Sequence, residues 1–170
     1  MKQLSIFLIL FTFFSCKTKV PVFEINQEVN FLIPAGKNPI ATHHFIIHNI
    51  PSLLKENLER KNMKLSEIKE LYAGRGKLES IVNSSDFGVI SKISISIYDK
   101  ENKEDIYEIY YRDDIPLTSK GELKLLSTGE DIRKILSLDN YEMDVEVLFK
   151  GFTSQEIDCR LTFGYVAYLE

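Results

Sequence analysis

Tryptophan is missing from these 170 residues, and cysteine is nearly so, present only as Cys16 and Cys159. Two cysteines allow at most one bridge, so a disulfide-stapled scaffold is excluded. Positive charge is neither abundant nor clustered: 21 Lys and Arg are scattered among 25 Asp and Glu, for a net charge of −4. That excludes the basic face expected of a nucleic-acid binder. No apolar run approaches the roughly 20 residues needed to cross a hydrocarbon layer as a helix. Internal repeats, low-complexity stretches and a second domain boundary are all missing. So are the Gly-x-Ser-x-Gly elbow, the phosphate loop and the dinucleotide fingerprint. The expectation is a protein that is not an enzyme and carries no cofactor.

What is present suffices for one ordinary domain. Hydrophobic residues make up 44% and charged residues 27%, values near those of soluble globular chains. Eleven Phe and eight Tyr supply the aromatic bulk of a core.

The N-terminus has its own pattern. Lys2 precedes an apolar run from Leu4 to Phe14, interrupted by Ser5 and Thr12, and the run stops at Ser15-Cys16. It is about half the length of a membrane span, which suits the central region of a secretory signal peptide. Positive charge, apolar run, small residue and cysteine in this order resemble a bacterial lipoprotein signal, and the Phe-rich run ending in Ser-Cys is similar to those of Bacteroidota. The resemblance implies cleavage before Cys16 and lipid on Cys16. It departs from the usual pattern at Phe13 and Phe14. Two or more acyl chains anchor a protein stably. The expected organisation is a signal peptide over 1–15, a lipidated cysteine and short tether over 16–22, and one domain over 23–170. The basic Lys17-Thr18-Lys19 that follows implies, by the same resemblance, the outer membrane and its periplasmic face. With Cys16 carrying lipid, Cys159 has no partner and is expected as a buried free thiol.

The body reads as strands. From Phe87 to Ile97, Phe87, Val89, Ile93, Ile95 and Ile97 fall on one face and Gly88, Lys92, Ser94 and Ser96 on the other, the period of a half-buried strand. The charged stretch Asp99 to Asp105 is a turn, and Ile106 to Arg112 returns with Tyr107, Ile109 and Tyr111 on one side, predicting a hairpin. Met143–Phe149 and Ile157–Ala167 alternate in the same way around a turn at 150–154, predicting a second hairpin. Further strands are predicted over 23–33, 42–48, 77–82 and 123–126, with the 65–72 stretch a strand after an irregular start. Two short helices interrupt them. Ile50, Leu54 and Leu58 recur every four residues after Pro51-Ser52. Thr128 to Asp131 is similar to a capping box, with Ile132, Ile135 and Leu136 packing inward. This tally predicts a mainly β chain, an immunoglobulin-like or related antiparallel β-sandwich with two short helices. The whole body also resembles small Bacteroidota lipoproteins of that kind, on the early Ile33-Pro-Ala-Gly36, the helix after Ile50-Pro51 and the paired strands that follow; no activity attaches to it.

Few residues suggest a site. His43, His44 and His48 sit together in sequence, but on a strand His44 and His48 stand about 13 Å apart at roughly 3.3 Å per residue. One ion cannot bind both at about 2.1 Å each, so they read as ordinary strand histidines and no metal is expected. The acidic turn 99–105 lacks the glycine and terminal glutamate of a calcium loop. Asp113 and Asp114 are adjacent and point apart on an extended chain. Arg75, between Gly74 and Gly76, is a candidate contact for a lipid phosphate or a partner carboxylate. Tyr110 and Tyr168, with Tyr107, Tyr111 and Tyr165, offer an aromatic surface to a ligand or partner. The expected function is therefore a membrane-anchored, non-enzymatic accessory subunit of an envelope complex, contacting the membrane through its lipid and another envelope protein through its surface. The alternative is a lipid- or glycan-binding carrier.

Overall fold

The computed structural model describes residues 20–82 and 86–169. The expected signal segment 1–15 and the lipidation site Cys16 lie outside the described residues. The chain is mainly β, with half of it in strands and two short α-helices among the described residues.

Alternation builds most of the strands. β1 (Phe23–Ile33) occupies its expected span and pairs along its whole length with β9 (Ile157–Tyr168). β2 (His43–Pro51) pairs with β8 (Asn140–Phe149). β3 (Glu70–Ala73) and β4 (Gly76–Ser80) both lie along the other side of β9, one after the other. β5 (Ile90–Tyr98) and β6 (Ile106–Arg112) form the expected hairpin, and β7 (Glu122–Ser127) pairs with both β6 and β4. All pairs are antiparallel. The strand order β1-β9-β4-β7-β6-β5-β8-β2 is one hydrogen-bonded path, nearly closed into a barrel-like shape.

Closure stops at the seam between β1 and β2, which side chains bridge. Gln27 donates from Nε2 to the Pro51 carbonyl at 2.6 Å and accepts from the Tyr141 hydroxyl at 3.1 Å. The rings of Phe31 and Phe45 meet across it at 5.9 Å. An eight-stranded barrel has an interior just wide enough for side chains to fill. Here Tyr110, Tyr141, Tyr165, Phe87, Phe149 and Phe163 fill it, each fully buried or nearly so. Their hydroxyls pair inside, Tyr141 with Tyr165 at 2.6 Å.

The predicted hairpin of β8 and β9 does not form. These strands lie in different halves of the sheet, and residues 150–156 cross from one half to the other. The first three residues of the predicted strand at Phe87 instead make a 3₁₀ turn, Phe87–Val89, whose backbone Asp86 caps through Gly88 N. The first helix is α1 (Leu54–Arg60), with Ile50 left in β2 but buried beside Leu54 and Leu58. The predicted capping box at Thr128 is absent. α2 (Arg133–Leu136) begins later, and Thr128 donates its hydroxyl to the Glu108 carbonyl instead. Asp131 holds the start of α2 by accepting from Arg133 N at 3.2 Å and forking onto its guanidinium.

Candidate functional site

Register sorts the connections onto two ends. Ile33 pairs with Ile157, Phe149 with Ile90, and Glu79 with Glu122, so connections 34–42, 81–89, 113–121 and 150–156 share one end. Phe23 pairs with Ala167, Tyr98 with Ile106 and Pro51 with Asn140, so the chain enters and leaves at the opposite end, beside both helices.

Hydrogen bonds lace the loop end into a platform. Thr153 is buried, and its hydroxyl donates to the Pro34 carbonyl at 3.0 Å and accepts from Lys37 N at 2.8 Å. Its backbone accepts from Gly36 N at 2.8 Å and donates to the Lys37 carbonyl at 3.1 Å. Gly36 sits at φ +81°, a conformation that side chains rarely adopt. Lys150 donates its ammonium to the carbonyls of Gly88 and Ile115. Gly88 N reaches the Ser119 carbonyl at 3.1 Å.

Three large apolar side chains stand out from this platform on three different loops: Ile40 at 92% exposure, Leu117 at 72% and Phe152 at 70%. Ile81 and Val82 are exposed at the same end. Braced loops present such side chains without the ordering cost of a mobile surface, which suits protein recognition. At the other end Val20 is 79% exposed where the chain enters, and Leu65, Ile106 and Leu169 are 41%, 58% and 40% exposed. The sequence held a signal for the three that periodicity misses: each follows a chain-turning residue, Pro39, Pro116 or Gly151.

The residues singled out from sequence are dispersed. Arg75 is exposed on a bulge, where Gly74-Arg75-Gly76 lies opposite Phe163-Gly164 between the β3 and β4 ladders. Tyr110 is not a surface residue. A bulge in the β5–β6 ladder at Ile95/Ser96 adds one residue to β6, so both Ile109 and Tyr110 turn inward and Tyr110 is fully buried. Its hydroxyl donates to the Gly164 carbonyl at 2.8 Å and accepts from Gly164 N at 3.2 Å, satisfying a strand opened by the bulge. Burial pushes the phenol up to about 12, against the opposing effect of that backbone bond. Tyr165 is fully buried as well, so the tyrosines form no exposed row. Tyr168 is half-buried at the far end of β9, its ring 6.1 Å from that of Tyr72.

The remaining candidates are structural in placement. Cys159 is fully buried, and burial followed by the Asp158 charge pushes its thiol up to about 12, far from a nucleophile's range. His44 pairs with Asp144 at 2.8 Å and His48 with Glu142, so each histidine ties β2 to its own carboxylate on β8. His43 bonds the Asn38 carbonyl at 2.9 Å. No group of three or more potential metal ligands occurs among the described residues. In the acidic turn, Asp99 accepts from Glu101 N and Asp105 from Asn102, so the carboxylates serve the turn itself. Comparison with known proteins finds no family model that matches the chain and no curated protein that matches it.

Proposed function

We propose that this chain is a lipid-anchored, non-enzymatic envelope protein of the Bacteroidota lipoprotein type. It serves as an accessory subunit that offers its loop end to another envelope protein. One observation carries the reading: the polypeptide enters the domain at one end, and Ile40, Leu117 and Phe152 stand exposed on three hydrogen-bonded loops at the other.

Val22 N donates to the Ala167 carbonyl at 2.8 Å, so the start of the domain is fixed to the helix-bearing end. Lipid on Cys16 leaves six residues before Phe23, a tether of at most about 25 Å. β1 has 11 residues and runs on the order of 35 Å from that end to the loops. The tether is too short for the body to stand on its loop end against the same bilayer. Ile40, Leu117 and Phe152 are thereby left to meet a protein. Placement at the periplasmic face of the outer membrane rests on Lys17-Thr18-Lys19. The β-sandwich reading, immunoglobulin-like or related, belongs to the same proposal. Support for it comes from the way β1-β9-β4 and β6-β5-β8-β2 face one another across one core. Against an interior-pocket carrier stands the aromatic packing of that core.

The test is mild-detergent purification of the chain from its native envelope, with its companions identified by mass spectrometry. A stoichiometric membrane protein is expected, lost when Phe152 and Leu117 are both changed to Ser. Cys16→Ala is expected to release the chain from the membrane. Membrane association that survives this change refutes the anchor, and a chain that purifies alone refutes the subunit role.

A further inference from the structure

The outer face of the sheet places two lysines directly opposite one another. Lys77 of β4 and Lys124 of β7 are register partners, with side chains on the same face. Like charges so placed oppose pairing. Lys77 is compensated by Glu79 at 2.9 Å and, more distantly, by Glu122 at 3.9 Å. Lys124 has no ion-pair partner among the described residues, and neither does Arg75 two positions before Lys77.

All three cations line one half-open cleft of about 750 Å³, in the size range of small-molecule sites. Gly74 shapes it beside Arg75, since a Cβ there would stand 2.9 Å from Val166. Gly76 makes room on the core side, where a Cβ would stand 2.7 Å from the buried Tyr110 ring. The bulge is held from beneath, because the Tyr110 hydroxyl also reaches the Arg75 carbonyl at 3.4 Å. Arg75 is thus an exposed fork on a braced turn.

The rest of the lining is not that of a site for a bare anion. Asn26, Thr162 and Ser127 bring amide and hydroxyl groups, and Glu24 brings a carboxylate. Glu24 repels an unaccompanied multivalent anion but accepts hydrogen bonds from hydroxyl groups. Leu126, 45% exposed, provides an apolar side chain on the outer face. We propose that this cleft binds an anionic saccharide, a sugar bearing a phosphate or a carboxylate. The anionic group sits between Arg75 and Lys124, where a guanidinium makes two parallel bonds to it. The sugar hydroxyls meet Asn26, Thr162 and Glu24. This site is separate from the loop end and needs neither the anchor nor a protein partner.

The test is calorimetric titration of the full chain in zwitterionic detergent with glucose 1-phosphate, glucuronate, glucose and inorganic phosphate. The two anionic sugars are expected to bind saturably, and glucose and phosphate at least tenfold more weakly. Arg75→Ala and Lys124→Gln are each expected to weaken binding tenfold or more. The thermal midpoint of Lys124→Gln without ligand should equal or exceed that of the parent, because the opposed charge is gone. Glycerophosphoinositol, the soluble headgroup of an inositol lipid, distinguishes the sources. Tighter binding of it than of glucose 1-phosphate assigns the ligand to a lipid headgroup, and the reverse assigns it to a free saccharide. Absence of saturable binding by either anionic sugar overturns the proposal, as does inorganic phosphate binding equally well.

Discussion

Alkaline pH should dismantle this fold in a defined order, because its core is stapled by phenols. Burial raises the hydroxyls of Tyr110, Tyr141 and Tyr165, Tyr110 to about 12 from an ordinary 10. Cys159 is raised from 9 to about 12 by burial and then by Asp158. The folded chain therefore holds these protons more tightly than the unfolded chain does. Their contribution is complete below pH 9 and is lost as pH climbs through 12. One pKa unit corresponds to about 1.4 kcal/mol. The shift at Tyr110 amounts to about 3 kcal/mol and that at Cys159 to about 4 kcal/mol, together on the order of the whole stability of a typical domain. Tyr141 and Tyr165 add in the same direction. The assay follows far-ultraviolet ellipticity and tyrosinate absorbance in the same samples from pH 8 to 12.5, with the chain in mild detergent. Tyrosinate should form in two stages, the second coinciding with loss of ellipticity. A Cys159→Ala chain should postpone the onset of that loss. All eight tyrosines ionising near pH 10, with ellipticity intact, would refute the reasoning.

Three further outcomes follow from packing. Gly164→Ala places a Cβ 2.6 Å from the Ile25 carbonyl and from Asn26 Oδ1, so the chain should lose on the order of 1–3 kcal/mol in urea denaturation; an unchanged midpoint would show that β1 shifts freely. Phe163→Ala empties a fully buried site in the middle of the core and should cost about 3–5 kcal/mol by the same measurement. Gln27→Leu removes the bond to the Pro51 carbonyl and should speed amide exchange along β1 and β2 while leaving β5 and β8 protected; uniform exchange across the sheet would argue that the seam does not open on its own.

The legible part of this fold is the part set by period two. β1 and the β5–β6 hairpin stand where the alternation of apolar residues puts them, and Ile93, Ile95 and Ile97 face the core as expected. Alternation reports which face a residue occupies, not which strand lies beside it. Residues 150–156 look the same whether they close a hairpin or cross the barrel end, so the separation of β8 from β9 was invisible. Bulges defeat the pattern too. One extra residue in β6 brought Tyr110 from the solvent side into the core, and no side chain near it announces the change. The like-charge pair Lys77 and Lys124 was hidden for the same reason as the hairpin error: it exists only once β4 and β7 are neighbours. By contrast, the apolar residues behind Pro39, Pro116 and Gly151 were on view as loop residues of the wrong polarity.

The one-sided pairing of β1 governs how the molecule bears load. β1 starts at the helix-bearing end and is zipped to β9 alone, through 11 consecutive register pairs, while only side chains hold its other edge to β2. A pull on the N-terminus against a grip on the loop end runs parallel to that ladder. Every rung is then stretched at once rather than peeled in turn, the geometry in which an antiparallel pair yields at the highest force. Pulling instead between the N- and C-termini, which leave from the same end, would unzip β1 from β9 rung by rung. The domain is strong along the axis from terminus to loops and weak across its own two ends.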